Sequence, residues 1–257
     1  MITELTRSKK MVFSLPEATK ILGANNKQVK KLLHDLVNQG WLNRVEKGKY
    51  FLIPLSVDAT KPYTQNQFLI ASNLVYPYYV GLWSMLHYYG YTEQLINTIF
   101  IISPKRKKDF TLSGVNYKFV KTSARKMFGL TKIEIDGMAV QVSDKEKTIL
   151  DCLDHPEYCG GITEVVKGIW IAREELDFDR ILNYVRKLGN SAVAKRLGYL
   201  LETLGIDKKI STENLKKIIK KGFSPLDPLL PKKGRYNTPW NLLVNITKEE
   251  LLSFRVV

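Results

Sequence analysis

The spacing of apolar residues near the start of the chain predicts two helices joined by a tight turn. Ser14 and Glu17 form a capping-box pattern that opens a short helix over residues 15–22, and Gly23 ends it. A longer helix is predicted over residues 26–38, with Gly40 as its stop. Its apolar positions recur at the spacing of one buried helix face: Val29, Leu32, Leu33, Leu36 and Val37.

The residues after this helix predict a β-hairpin. Residues 41–44 and 49–53 are apolar or alternating, as in two short strands, and residues 46–48 form the tip between them. A helix, a tight turn, a longer helix and a two-stranded wing is the element order of a winged helix-turn-helix. The sequence therefore predicts a winged helix over residues 1–55.

Downstream patterns predict a larger unit in which strands precede helices. Short strands are expected at residues 97–103, 118–121, 133–135 and 138–142, with Asp136-Gly137 as a hairpin turn. Ser143 and Glu146 form a second capping-box pattern, which opens a helix to residue 153, and further helices are expected at 163–173, 178–188 and 191–204. The predicted fold class is α+β: an N-terminal winged helix-turn-helix, then a larger α+β domain with a small mixed sheet and a C-terminal helical part. The predicted domains are residues 1–55 and 67–257, joined by a linker over residues 56–66 that follows Pro54 and contains Pro62.

Charge directs attention to the small N-terminal domain. The 257-residue chain has a formal net charge of +15, and residues 1–55 contribute ten basic against four acidic side chains. Such a balance favours a polyanionic partner. The most apolar region, residues 73–89, is interrupted by Pro77, Ser84 and His87, so no membrane span is expected. Two cysteines indicate a reducing environment, and the expected location is the cytoplasm.

The predicted nucleic-acid surface consists of amide and basic side chains on the second helix and the wing. Amides at the helix start suit base edges in a major groove, while cations on the helix and the hairpin suit backbone phosphates. The candidate DNA-binding residues are Asn25, Asn26, Lys27, Gln28, Lys30, Lys31, His34, Arg44, Lys47 and Lys49. Two alternatives stay open: a charged helix face that is merely solvated, and a winged helix that binds protein.

The larger segment resembles the AbiEi-type antitoxins, the transcriptional regulators of AbiE (type IV) toxin–antitoxin systems. The motifs that carry the resemblance keep their order along nearly the whole chain: Gly81-Leu-Trp-Ser84 to Gln94, Phe128-Gly129, residues 142–151, Gly160-Gly161, residues 196–202, residues 225–228, Trp240 and Asn245. The resemblance implies a winged helix that represses its own operon by binding inverted repeats in its promoter, as monomer or dimer. It also implies a C-terminal domain that counteracts a nucleotidyltransferase-like toxin, a role in phage abortive infection, and a protein that is not an enzyme.

A nucleic-acid-processing enzyme that uses the winged helix for targeting is the alternative from another functional class. A metal-dependent nuclease commonly has an acid followed by Glu-x-Lys. No glutamate of this chain is followed two places later by lysine, so a nuclease is less favoured. Glu146 and Asp151 resemble an acid pair, but a helix cap and a structural ion pair are the favoured roles. The spacing of Cys152, His155 and Cys159 resembles half of a zinc site, to which His87 could add a fourth ligand. Buried free thiols are favoured instead, and neither a metal nor another cofactor is expected.

Three further basic runs have no assigned role from sequence. Residues 105–108 are expected on a loop after a strand, and Lys232, Lys233 and Arg235 lie in a proline-rich tail. Lys216, Lys217, Lys220 and Lys221 are expected on one side of a helix. Each run has two possible roles: solvated surface, or contact with nucleic acid or with an RNA-handling toxin.

Overall fold

A computed structural model describes Thr3 and residues 12–52, 65–112, 114–135 and 137–255. Most of the predicted linker, and Asp136 of the predicted hairpin turn, lie outside the described residues. The chain is α+β, as predicted.

The N-terminal unit contains two helices and three strands in the order β1 (Val12–Ser14), α1 (Leu15–Leu22), α2 (Asn26–Asn38), β2 (Leu42–Glu46) and β3 (Lys49–Leu52). Both predicted helices and the predicted hairpin are present, and this order agrees with a winged helix-turn-helix. β1 was not predicted from the sequence. It pairs antiparallel with β3, so the sheet order is β1-β3-β2.

Local sequence explains where both helices begin and end. Ser14 and Glu17 make the predicted capping box at the start of α1, and Gly23 ends it in the left-handed conformation. At the end of α2, the amide of Trp41 donates to the carbonyl of Leu36 at 2.9 Å and that of Gly40 to Val37 at 3.1 Å. Gly40 has φ of +78°, so this is a Schellman ending that needs glycine.

The larger unit begins with α3 (Gln65–Ser72) and contains a six-stranded mixed sheet. Its strands are β4 (Tyr79–Val80), β5 (Thr98–Ser103), β6 (Phe110–Leu112), β7 (Val115–Lys121), β8 (Leu130–Ile135) and β9 (Met138–Ser143), and α4 (Trp83–Tyr88) follows β4. The sheet order is β6-β7-β5-β4-β9-β8. β4 was missed from the sequence because it has two residues, yet it joins the two halves of the sheet: it pairs antiparallel with β5 and parallel with β9.

The helical part follows the sheet. Its helices are α5 (Lys145–Asp154), α6 (Ile162–Ala172), α7 (Phe178–Leu188), α8 (Ser191–Leu204), α9 (Thr212–Lys216) and α10 (Lys248–Leu251). A small second sheet, in the order β10-β12-β11, consists of β10 (Ser224–Pro225), β11 (Arg235–Asn237) and β12 (Leu242–Val244). The predictions for α5 to α8 are confirmed within two residues at each end.

Residues on opposite faces of the six-stranded sheet enter two different cores. Phe100 and Ile102 belong to a cluster with α4 to α8, whereas Ile99 and Ile101 belong to a cluster with α3. This is the alternation expected along a strand covered on both faces. The second cluster also contains Val12, Val45 and Phe51 of the N-terminal unit, whose own small core surrounds Leu33. The two units therefore share a continuous apolar cluster.

Four details of the sequence prediction are wrong, and the fourth, the tip of the wing, is described with the wing below. Leu32, predicted on the buried face of α2, is 40% exposed. The N-cap of α5 is Asp144, which accepts from the Lys147 amide at 2.7 Å, because Ser143 still belongs to β9 and bonds the Thr148 hydroxyl instead. Glu146 therefore does not complete a capping box; its buried carboxylate accepts from the Asp177 amide at 3.0 Å.

The third error concerns the lysines that follow α9. The helix ends at Lys216, so Lys216, Lys217, Lys220 and Lys221 do not share one helix side. The Lys220 amide donates to the Ser191 hydroxyl of α8 at 2.8 Å. A tertiary hydrogen bond thus replaces the helical bond that an extended α9 would need at this residue.

Candidate nucleic-acid interface

The predicted surface begins at the turn between α1 and α2, where two asparagines have structural partners. The Asn25 side chain accepts from the Gln28 amide at 3.0 Å and caps α2. The Asn26 side-chain oxygen Oδ1 accepts from the Thr19 hydroxyl at 3.0 Å and links the two helices. Both asparagines are exposed, and their amide nitrogens stay available as hydrogen-bond donors to a ligand.

The basic side chains of α2 form one stripe on the side away from the core. Lys27, Lys30, Lys31 and His34 have the i, i+3, i+4, i+7 spacing of a single helix face, and all four are exposed. Val29 and Leu33 of the same helix are buried, at 1% and 0% exposure. Packing of this helix on its core therefore turns the basic stripe toward solvent, and Gln28 is exposed beside it.

One side chain of the stripe has neighbours of its own. His34 Nδ1 lies 3.1 Å from the Asn38 amide nitrogen and 3.8 Å from the carboxylate of Asp35, which is half-exposed. Asp35 places one negative charge beside His34, at the end of the stripe farther from the start of α2. The start of the helix carries the positive end of the helix dipole, which favours anions.

The wing is short and tied to α1. Glu46 pairs with Lys49, so the tip is Lys47-Gly48 rather than residues 46–48. The Gly48 carbonyl accepts from the Leu15 amide at 2.8 Å, and Gly48 has φ of +75°. This bond holds the tip beside the start of α1. Arg44 and Lys47 are exposed and Lys49 is half-buried, so all the predicted wing cations reach the surface.

A second cationic surface lies on the larger unit. Residues 105–108 are on a loop after β5, as predicted, and they line an open cavity of about 330 Å³ with Phe119 and Lys121. The Lys107 ammonium donates to the Leu74 carbonyl and lies 5.4 Å from the centre of the Phe119 ring. The basic run itself could be predicted from the sequence. That Phe119 and Lys121 of β7 lie beside it could not.

The cysteines and histidine considered for zinc lie in different surroundings. Cys152 and Cys159 are fully buried in the main core, where burial raises the pKa of the Cys152 thiol well above its usual value. His155 is partly exposed, with Nδ1 3.0 Å from the carboxylate of Glu157. Across the described ranges, His, Cys, Asp and Glu side chains form no group of three that could hold a metal ion.

The acidic residues of α5 serve as internal ion pairs. Asp151 is paired with the fully buried Lys147 and accepts from the Tyr79 hydroxyl at 2.9 Å, as the structural interpretation of Asp151 expected. Asp154 is 2.6 Å from the Lys126 ammonium. The cavity beside these carboxylates holds about 10 Å³, room for about one water molecule and too little for a nucleotide. Lys147 was missed because a lysine after a helix cap normally signals an exposed position.

Comparison with known proteins supports the α+β fold class, but it assigns neither a family nor a function. No protein-family model and no curated protein matches the chain. Among solved structures, the chain is similar to the crystal structure of the Rv2827c protein from Mycobacterium tuberculosis, with a TM-score of 0.68 and 16% sequence identity. The similarity covers 100% of this chain and 93% of that one, so it extends through both units of the α+β fold. No helix in the described part of the chain is long and apolar enough to cross a membrane.

Proposed function

We propose that this protein is a DNA-binding transcriptional repressor of the cytoplasm that recognises inverted repeats in its own promoter. We also propose that its larger domain counteracts a nucleotidyltransferase-like toxin. The observation that carries the first part is the exposed basic stripe Lys27, Lys30, Lys31 and His34, placed opposite the buried Val29 and Leu33.

The arrangement suits duplex DNA for two physical reasons. A helix with exposed amides at its start can enter a major groove and meet base edges, which gives sequence preference. Lysines on the same helix and cations at the wing would neutralise phosphates, which gives affinity and orientation. Gln28 and the amide nitrogens of Asn25 and Asn26 are the donors proposed for base edges.

The affinity test uses a labelled duplex from the promoter of the protein's own gene. Replacing Lys27, Lys30 and Lys31 with alanine should weaken binding and make the log–log salt dependence shallower by roughly two to three, because each neutralised phosphate contributes about −0.9. Alanine at the exposed Lys132, Lys187 and Lys208 removes the same formal charge from three other elements and serves as the matched control. Equal losses in both triple variants would contradict a specific site on α2.

The antitoxin part rests on the residues that carry the resemblance to AbiEi-type proteins, several of which contact one another. The Asp227 carboxylate accepts from the Ile162 amide, directly after Gly161, at 2.9 Å. Asn245 accepts from the Asp227 amide at 3.0 Å and donates to the Asp227 carbonyl at 2.7 Å. Motif residues that are distant in sequence therefore form one packed unit, which supports a resemblance at the level of the whole domain.

Co-expression separates the two proposed activities. The intact chain should restore growth of cells that produce a nucleotidyltransferase-like toxin encoded beside it. The triple lysine variant of α2 should still restore growth while it no longer represses a reporter under its own promoter. Loss of growth rescue in that variant, with normal protein levels, would contradict the assignment of antitoxicity to the larger domain.

A further inference from the structure

The small sheet has one face on the core and one face toward solvent. Pairing places Tyr236, Leu243 and Pro225 opposite one another, so they share a face, while Leu242 and Ser224 point to the other. The second face is covered: Leu242 is buried in the main core, and the Ser224 hydroxyl is 3.4 Å from the Lys195 ammonium of α8. The face with Tyr236 is therefore the outer one.

Two aromatic rings lie on this outer face. Phe223 precedes β10 by one residue and reaches Tyr236, with ring centres 4.7 Å apart and ring planes at 65°. Phe223 is 48% exposed and Tyr236 is 68% exposed, although Leu243 opposite Tyr236 is only 8% exposed. In an edge-to-face pair only one ring is covered on its face by the other, so the pair keeps open π-surface.

The aromatic pair lies in a basic stretch of the sequence. Residues 216–237 contain seven basic side chains and one acid, Asp227, which is buried. Four of the cations flank the two rings in sequence: Lys220, Lys221, Lys232 and Lys233. Within the part of the chain that the structure describes, none of the four takes part in a salt bridge.

Two carboxylates lie near Lys233. Glu249 and Glu250 line the same open cavity of about 620 Å³ as Lys233 and Arg235. The Glu250 carboxylate already accepts from the Thr247 amide and hydroxyl, both at 3.0 Å, in the capping box of α10. Glu249 is thus the one exposed acid of this cavity without a described capping role.

We propose that Phe223 and Tyr236, with the lysines beside them, form a binding platform for single-stranded nucleic acid. Unpaired bases stack on exposed aromatic rings while cations follow the phosphates. Duplex DNA already stacks its bases on each other and offers this platform phosphates alone. A carboxylate-rich polypeptide would pair with the lysines, but it has no planar bases that could stack on the two aromatic rings. The site lies outside α2 and the wing, so it is independent of the proposed promoter contact.

The test measures fluorescence anisotropy of the full-length protein with a labelled unstructured oligouridylate, the equivalent oligothymidylate and a duplex of equal length. Replacing Phe223 and Tyr236 with alanine should weaken binding of the single strands by about 5-fold to 150-fold for each base stacked. Duplex binding should change by less than twofold. A similar loss for both single strands identifies stacking as the shared chemistry, and a loss confined to oligouridylate identifies RNA as the ligand.

Two further variants separate stacking from charge and from folding. Leucine at both positions keeps an apolar cover over Leu243 but removes the rings, so it should lose single-strand binding like the alanine pair while the thermal midpoint stays near that of the wild type. Alanine at Leu95, which is 90% exposed, is the control for loss of surface apolar area and should bind normally. Full binding by the leucine pair would overturn the proposal. Equal displacement of the oligonucleotide by polyglutamate of matched charge, with no effect of the ring substitutions, would overturn it in favour of an acidic protein partner.

Discussion

The indole ring of Trp240 lies against the backbone of Gly198 in α8 and occupies the space that a side chain at position 198 would need. Trp240 is fully buried, and its Nε1 donates to the Glu202 carboxylate at 2.7 Å. Lys216 lies over the same ring at 5.2 Å from its centre. One glycine therefore lets the loop before β12 lie flat on α8 and fixes the position of the small sheet.

Alanine at Gly198 should destabilise the protein. Overlap of the new methyl group with the Trp240 ring is expected to lower the free energy of unfolding by roughly 1–3 kcal/mol, despite the helix preference of alanine. Urea denaturation measures this loss. Alanine at Gly168 in α6 is the matched control, because its Cβ would meet the flexible end of Leu86 at 3.3 Å, and it should change stability by less than about 1 kcal/mol. Unchanged stability of the Gly198 variant would contradict the close packing.

Removing one partner of the buried pair Lys147–Asp151 should cost more than removing both. Lys147 is fully buried and lies over the rings of Tyr79 and Phe128, at 5.3 and 5.2 Å from their centres. Asp151→Ala leaves its ammonium group without a counter-charge and should lower the free energy of unfolding by about 3–5 kcal/mol. The double variant Lys147→Met, Asp151→Ala should recover part of this loss. A double-mutant cycle by urea denaturation checks it, and simple additivity of the two losses would contradict the pairing.

Stability should fall in acid through Asp154. Burial pushes the pKa of Asp154 up, but the hydrogen bond from Lys126 and the nearby His155 and Asn190 outweigh burial, so the pKa lies below the ordinary 3.8. A carboxyl with a lowered pKa in the folded state stabilises the protein above its unfolded pKa and loses that effect as the pH falls through the folded value. Asp154→Asn should therefore reduce stability at neutral pH and flatten its decline below about pH 4. Urea midpoints across this range test it, and an equally steep decline in the variant would contradict the role of Asp154.

Two substitutions at Asn25, the N-cap of α2, should separate the effect on stability from the effect on DNA binding. Asn25→Ala removes the oxygen that accepts from the Gln28 amide and should destabilise the protein by about 1 kcal/mol. Asn25→Asp keeps a capping oxygen, so thermal stability should stay near that of the wild type, but the new negative charge should weaken binding of promoter DNA several-fold. Thermal melts and anisotropy measure the two effects. Normal DNA affinity in the aspartate variant would place the start of α2 away from the duplex.

Elements with complete local signals could be predicted from the sequence. The first and second helices have an N-cap, an apolar stripe and a glycine stop in consecutive order, and α7 and α8 each end at a left-handed glycine, Gly189 and Gly205. The exposure of the α2 cations could be predicted in the same way, because helical spacing alone separates them from Val29 and Leu33. The AbiEi-type resemblance and the DNA-binding role stay predictions.

Other features depended on partners distant in the chain. β1 and β4 have three and two residues, too few for a periodic signal, and they are strands because β3, β5 and β9 supply their hydrogen bonds. Phe223 and Tyr236 are thirteen residues apart and meet only because β10 and β11 both pair with β12. Local order along the chain thus determined α1, α2, the extents of α5 to α8 within two residues, and the basic stripe. Tertiary pairing decided the short strands, the buried Lys147 and the aromatic pair, since these depend on hydrogen bonds, charges and rings brought together from separate segments.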